Sequence, residues 1–85
     1  MIQRTLLALS DPTRREILKM LKKSDRTVSE ISERFDISAP AISRHLSVLK
    51  EAELVISRRE GKFIYYSAQF STIESVREWL GEFLR

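Results

Sequence analysis

Two short helix signals flank a three-residue break, and this arrangement constrains the fold most. Thr27 and Glu30 have the spacing of a capping box, in which each side chain bonds the other residue's backbone N–H. Apolar residues then recur at helical spacing for about two turns. After Asp36, Ser38 supplies a second N-cap, and Pro40 falls in the first turn, where proline is tolerated. Two short helices joined in this way predict a helix-turn-helix.

Further helix signals precede this unit. Ile2, Leu6 and Leu9 fall at i, i+4 and i+7, which is typical of a short amphipathic helix. Asp11 and Pro12 then provide an N-cap and a first helical residue for a second helix. The residues predicted to face the core are Ile17, Leu18 and Leu21 in this second helix, and Ile42, Leu46 and Leu49 in the helix that follows the break.

The periodicity changes after the helix-turn-helix. The segments 54–59 and 63–67 are rich in β-branched and aromatic residues and flank Glu60-Gly61-Lys62, so they predict a β-hairpin. Ser71 and Glu74 have the spacing of a second capping box, which predicts the start of a final helix. The expected fold is therefore mainly α with a small β-hairpin, a winged helix-turn-helix in the order α-α-α-α-β-β-α, and residues 1–85 are expected to form a single domain.

Composition excludes several classes of protein. The sequence has no cysteine, so it offers no disulfide framework, thiolate metal site or cysteine nucleophile. Its longest apolar runs have four residues, against about 20 needed to span a bilayer. We therefore expect a soluble, cytoplasmic protein without a membrane partner. The 15 basic and 12 acidic residues give a net charge of +3, which favours a polyanionic partner without proving one.

The outward positions of the helix after the break favour DNA as that partner. No acidic residue occurs between Asp36 and Glu51, whereas a merely solvated helix usually carries glutamate. Small hydroxyl groups and cations suit phosphates and base edges in a major groove about 12 Å wide. The residues predicted to face the major groove are Ser38, Pro40, Ser43, Arg44 and Ser47, with Arg44 and Ser43 as the expected base readers.

The predicted hairpin tip has three cations in five residues, Arg58, Arg59 and Lys62. Together with His45, these three are predicted to contact the DNA backbone, either directly or as part of the wing. Cations at such positions contribute more to affinity and to its salt dependence than to sequence specificity. A charged turn that only keeps the chain soluble is the alternative for the tip. For His45, packing on the helix surface is the alternative to a phosphate contact.

No catalytic or metal-binding pattern stands out. His45 is the only histidine, so no second histidine or cysteine completes a zinc site around it. Glu74, Glu78 and Glu82 lie on one side of the last helix. They form either its solvent-exposed face or a cation site, and both alternatives stay open. No phosphate loop, nucleophile elbow or zinc-protease motif is present. We expect neither an enzyme, nor a cofactor, nor a metal site.

The terminal helices carry more large apolar side chains than one thin core covers, among them Trp79, Phe83 and Leu84. Left exposed, they would form an aggregation-prone patch. Burial against a second copy would remove the patch. It would also relate two recognition helices by two-fold symmetry, so that they could bind two half-sites about one DNA turn apart. We therefore expect a homodimer that pairs through its terminal helices.

Three stretches resemble the ArsR/SmtB family of small winged-helix repressors of bacteria and archaea, and within it the metal-independent autorepressors of the SdpR type. They are SDPTRREIL at 10–18, SAPAISRHLSVL at 38–49 with its continuation through Leu54-Val55, and GKFIYYS at 61–67. The resemblance implies a homodimer, paired through its first and last helices, that occupies an inverted-repeat operator and blocks transcription.

The sequence departs from the metal sensors of that family. Thiol-based sensors carry cysteines in the helix before the turn, where this chain has Thr27-Val28-Ser29-Glu30, and others use Asp and His on the last helix, where this chain has no histidine. We therefore expect a sequence-specific repressor without a metal effector. A winged-helix module that binds protein through its apolar end helices, without touching DNA, is the alternative.

Overall fold

The helices and the hairpin occur in the predicted order. The computed structural model describes residues 2–85. In chain order the elements are α1 (Ile2–Leu9), α2 (Pro12–Lys23), α3 (Val28–Phe35), α4 (Ala39–Glu51), β1 (Val55–Glu60), β2 (Phe63–Ala68) and α5 (Phe70–Gly81), followed by a short 3-10 turn (Glu82–Leu84). No helix in the described part of the chain is both long and apolar enough to cross a bilayer. The expected winged helix-turn-helix is confirmed.

The capping residues named from the sequence begin α2, α3 and α4. The Asp11 carboxylate accepts from the Arg14 backbone N–H at 3.0 Å, and Pro12 opens α2. At α3 the capping box is complete, since the Glu30 carboxylate accepts from the Thr27 backbone N–H at 2.9 Å and the Thr27 hydroxyl accepts from the Glu30 N–H at 3.3 Å. Ser38 caps α4 by accepting from the backbone N–H at position 41.

The turn between α3 and α4 is held by bonds of its own. Asp36 adopts a left-handed conformation with φ of 54°, which aspartate tolerates better than most residues. The Ile37 backbone N–H donates to the Ser32 carbonyl at 3.3 Å, and the Ser32 hydroxyl donates back to the Ile37 carbonyl. These bonds fix how the recognition helix α4 leaves α3.

The hydrophobic core lies between the four helices and the base of the hairpin. The six residues predicted to face inward from α2 and α4 are all buried, and Ile31, Leu54 and Val55 join them. In α1, Thr5 and Ala8 are buried, whereas the apolar residues at helical spacing, Ile2, Leu6 and Leu9, are half-buried. The Thr5 hydroxyl donates to the Ala52 carbonyl at 3.3 Å, so small side chains face the end of α4.

The hairpin is joined to the helices by an isolated β-bridge between Arg26 and Tyr66. β1 and β2 pair antiparallel from Val55 opposite Ala68 to Glu60 opposite Phe63. Gly61 begins the loop with φ of +64°, a conformation that glycine adopts without strain. Arg26 and Tyr66 exchange backbone hydrogen bonds at 3.1 and 2.8 Å, which attaches β2 to the α2–α3 connection.

The predicted capping box at the start of α5 is wrong. The helix begins at Phe70, with Gln69 as a cap that makes no side-chain capping bond. The Gln69 backbone N–H donates to the Leu54 carbonyl at 2.8 Å, which anchors the chain just before the helix and starts it ahead of Ser71. Only Val76 of α5 is buried, so the expected excess of apolar surface on the last helix is present.

Candidate nucleic-acid interface

The outer face of α4 is a polar surface on a rigid element, and it carries no carboxylate before Glu51, the last residue of the helix. Ser38, Pro40, Ser43, Arg44 and Ser47 are all exposed, while the other side of the helix is fully buried in the core. The structure thus places the five residues predicted for the major groove on one accessible face. Because the apolar side of the helix is fixed in the core, its exposed side chains can enter a major groove and contact base edges without a movement of the helix.

Lys50 extends this surface toward the hairpin. Its ammonium group donates to the Ser57 hydroxyl at 2.8 Å. Because Ser57 lies on β1, the bond joins the end of the recognition helix to the base of the wing. Helix and wing therefore form one continuous surface.

His45 does not project with its neighbours on α4 and is half-buried against the start of α2. Its Nδ1 atom lies 3.4 Å from Arg14 Nη1 and 4.0 Å from Asp11 Oδ2. The Arg14 backbone N–H, helped by the charges of Arg14 and His45, lowers the pKa of the Asp11 carboxyl below its ordinary value. Of the two alternatives for His45, a phosphate contact and packing on the helix surface, the environment in the structure corresponds to packing.

Arg14 is a residue that sequence reasoning did not single out. Its Nε donates to the Ala8 carbonyl at 2.7 Å and its Nη2 to the Leu7 carbonyl at 3.2 Å, so it caps the end of α1 while it contacts His45 on α4. No sequence signal links Arg14 with His45, because they lie 31 residues apart.

Arg58 and Arg59 follow one another on β1 and therefore point to opposite faces of the hairpin. Arg58 pairs with Asp25 at 2.5 Å and with Glu60 at 2.6 Å, and its guanidinium lies 5.2 Å from the centre of the Tyr65 ring. Hydrogen bonding to Glu60 and Asp25 raises the pKa of Arg58, and hydrogen bonds with Arg58 and Ser67 lower the pKa of Asp25. The charge of Arg58 is thus paired with two carboxylates of the same chain.

Arg59 and Lys62 are the other two cations of the wing tip, and both are exposed. Arg59 donates to the Gly61 carbonyl at 3.3 Å, and the Lys62 ammonium lies 5.9 Å from the centre of the Phe63 ring. Neither has a salt bridge within residues 2–85. Phe63 and Ile64 are also exposed beside them, an apolar patch at the tip that the sequence analysis did not identify as surface.

The structure offers no metal cluster in residues 2–85, where no three His, Asp or Glu side chains are grouped to hold an ion. On the last helix, Glu74 pairs with Arg77 at 2.7 Å and Glu78 pairs with Arg85 at 3.1 Å. These two carboxylates of the predicted row are therefore engaged with arginines.

Comparison with known proteins agrees with this architecture. Residues 11–57 match the family model described as bacterial regulatory protein, arsR family. The chain is 47% identical over 77 residues to the transcriptional repressor SdpR of Bacillus subtilis (strain 168), a match that covers 91% of this chain and 86% of SdpR.

Two solved structures show the same fold. An ArsR-like transcriptional regulator from Rhodococcus sp. RHA1 superposes with a TM-score of 0.87 at 33% identity, covering 95% of this chain and 76% of that one. The homodimeric winged helix-turn-helix DNA-binding domain Mb0332 from Mycobacterium bovis, a possible ArsR-family regulator, superposes with a TM-score of 0.82 at 26% identity, covering 95% and 78%. This chain therefore belongs to the ArsR family of DNA-binding bacterial transcription regulators.

Proposed function

We propose that this chain is a sequence-specific transcriptional repressor that binds an inverted-repeat operator as a homodimer, with residues 1–85 as one DNA-binding domain. The observation that carries the proposal is the exposed face of α4 from Ala39 to Lys50, which presents hydroxyl groups and cations without a carboxylate. Phosphates repel carboxylates and attract cations, so this face suits a duplex better than an acidic surface would.

Within this proposal, the residues of α4 read the major groove. Arg44 and Ser43 contact base edges, because arginine pairs in a bidentate manner with guanine and a serine hydroxyl bonds several bases. Ser38, Pro40 and Ser47 line the groove walls and the adjacent phosphates. Ser38 also caps α4 by accepting from the backbone N–H at position 41, which holds the start of that helix in place.

The wing and His45 contribute contacts to the backbone. Arg59 and Lys62 carry most of this interaction, since each is exposed and has no salt bridge in the described residues. Arg58 and His45 reach a phosphate only after leaving their partners Asp25 and Arg14, so their contribution to affinity is smaller.

Dimerisation through the terminal helices brings two copies of α4 to one duplex. Support comes from the exposed apolar side chains of the C-terminal segment, where Leu80, Phe83 and Leu84 are 51%, 72% and 89% exposed. The homodimeric relative Mb0332 has the same fold. Repression without a metal effector is proposed because the chain has no cysteine and no histidine after His45.

A mobility-shift titration on the chain's own promoter region tests this proposal at two salt concentrations. We expect a discrete complex on the promoter, weaker binding to a shuffled duplex, and a loss of affinity at the higher salt. In vitro transcription from the same promoter should fall as the complex forms. Binding to neither duplex would refute the proposal and favour a protein-interaction module, and a rise in transcription would contradict repression.

A further inference from the structure

A cationic cavity lies between the second half of α2 and the end of α3, and no residue predicted to contact DNA lines it. We call it the α2–α3 cavity. Its volume is about 390 Å³. It is lined by five cations, Lys19, Lys22, Lys23, Arg26 and Arg34, by the apolar side chains Met20 and Phe35, and by the carboxylate of Glu16.

Most of the positive charge in this cavity is unmatched. Lys19 pairs with Glu16 at 3.4 Å. Among residues 2–85, no salt bridge reaches Lys22, Lys23, Arg26 or Arg34. The carboxylates of Glu30 and Glu33 line a neighbouring depression that Arg26 and Arg34 share, and Glu30 is already bonded in the α3 capping box. The α2–α3 cavity therefore retains an excess of positive charge.

Arg26 gives a second reason to look for an anion. Its backbone is fixed by two hydrogen bonds to Tyr66. Its Nε atom is buried and has no hydrogen-bond acceptor in the described part of the chain. Arg26 as a whole is half-buried, but a buried N–H donor without an acceptor costs free energy, and an anion bound to the guanidinium would offset part of that cost.

The apolar lining restricts the kind of anion. Met20 and Phe35 are partly buried and pack against the core, so they form a firm apolar surface among the cations. An inorganic ion would leave this surface unused. A ligand that has an apolar body and one anionic group would satisfy both parts of the cavity.

We propose that the α2–α3 cavity binds a small organic anion, in which a carboxylate, phosphate or sulfonate meets Arg26 and Arg34 and a flat apolar body rests on Met20 and Phe35. Lys22 and Lys23 add attraction at the rim. The site lies at the back of the helix-turn-helix and uses neither the exposed face of α4 nor the wing tip.

Occupancy of this cavity affects the DNA-reading unit, an extension that rests on the proposed function. Arg34 and Phe35 are the last residues of α3 and lead directly into the turn at Asp36. Arg26 is bonded to β2 at the root of the wing. A ligand that moves either segment changes the angle of α4 or of the wing, and we expect it to change operator affinity.

The test uses anilinonaphthalene sulfonate, which combines an aromatic body with a sulfonate, and follows the backbone amides of the full chain by NMR without DNA. We expect saturable shifts at residues 19–26 and 34–35, and competition by phenyl phosphate. Arg26→Gln combined with Arg34→Gln should weaken binding about tenfold or more, because two charged hydrogen-bond donors are lost. Arg77→Gln, an exposed arginine on α5, is the matched control and should leave binding unchanged.

If the double variant fails to fold, Lys22→Gln combined with Lys23→Gln replaces it, since both side chains are exposed, and a severalfold loss is expected. The proposal is overturned if the shifts are confined to the apolar end of α5, if they do not saturate, or if the variants of the cavity bind like the control. Because the titration contains no DNA, its failure leaves the proposed function standing.

Discussion

Arg14 lies on α2 and connects that helix to two others. It donates to two carbonyls at the end of α1, sits in the first turn of α2 beside Asp11, and reaches His45 on α4. These bonds join the recognition helix to the N-terminal helix, which we expect to contribute to the dimer interface. Arg14 therefore supports both the fold and the placement of α4.

Arg14→Ala should lower the free energy of unfolding by about 1–3 kcal/mol, because partly buried carbonyls lose their donor. Arg15→Ala is the matched control, since Arg15 makes one exposed bond to the Leu9 carbonyl at 2.8 Å and should cost less. Urea denaturation of both variants measures the difference. Equal losses would show that the bonds of Arg14 add nothing beyond those of an exposed arginine.

Arg44→Ala tests base reading. If Arg44 makes a bidentate contact with guanine, its loss should weaken operator binding by about 1–3 kcal/mol and affect random DNA less. Arg77→Ala removes the same charge from α5 and serves as the control. The readout is the ratio of affinities for the promoter duplex and a shuffled duplex. Equal losses on both would make Arg44 a phosphate contact.

At the scale of elements, the hairpin is fastened to the helices on both of its strands. Lys50 bonds Ser57 on β1, Arg26 pairs with β2, and Asp25 holds Arg58. The Asp25 bond is sensitive to pH. The pKa of the Asp25 carboxyl is lowered in the folded state. The bond therefore stabilises the fold at pH values above the ordinary aspartate pKa, and this stabilisation is lost as the pH falls through the folded-state pKa.

Asp25→Asn should therefore destabilise the protein at neutral pH and have a smaller effect below pH 3.8. Urea midpoints of the wild type and the variant at the two pH values measure this gap. Glu33→Gln, an exposed carboxylate without a salt bridge in residues 2–85, should give little gap at either pH. A gap for Asp25→Asn that widens in acid would contradict the expected sign.

Lys62→Ala tests the wing as a DNA-binding element. Loss of one phosphate contact should reduce the slope of log affinity against log salt by about one unit, or about two per dimer. Affinity should fall on all sequences alike, because a phosphate contact carries no sequence information. Titrations at several salt concentrations give the slope. An unchanged slope would place the wing tip in solvent.

How far the sequence predicts this structure depends on the range of the interaction. The caps at Asp11, Thr27 and Ser38 are bonds between residues three apart, and the sequence identifies all three. Ser71 has the same type of signal but lies inside a helix, because a backbone bond between Gln69 and Leu54 sets where α5 begins. A local pattern cannot contain such a distant constraint.

In the candidate site too, local features are predicted from the sequence and long-range contacts are not. The sequence separates the exposed and buried faces of α4 correctly, because helical periodicity is local. It does not reveal that Asp25 holds Arg58, 33 residues away, or that α2 and α3 bring their cations to one cavity. Those cations resemble ordinary solvated helix faces until the two helices are packed together.

At the scale of the whole molecule, the shape is elongated. The radius of gyration is 13.3 Å, against about 12 Å for a compact domain of this length, and the longest dimension is 46 Å. α5 contributes one buried side chain to the core and ends in exposed apolar residues. A second copy that covers this surface would complete the molecule.

Leu80→Lys should weaken the dimer about tenfold or more, because a buried leucine contributes about 1.5–3 kcal/mol. Ser75→Lys, at an exposed position on another side of α5, is the control and should leave association unchanged. Sedimentation equilibrium measures both. Identical association of the two variants would exclude this face of α5 from the dimer interface.

The most direct test of the central claim is an anisotropy titration of a labelled promoter duplex with the wild-type chain, in which stoichiometry and affinity are measured together. We expect two chains per duplex and an affinity at least about a thousandfold higher than for a shuffled duplex at the same salt concentration. One chain per duplex, or equal affinity for the two duplexes, would contradict it.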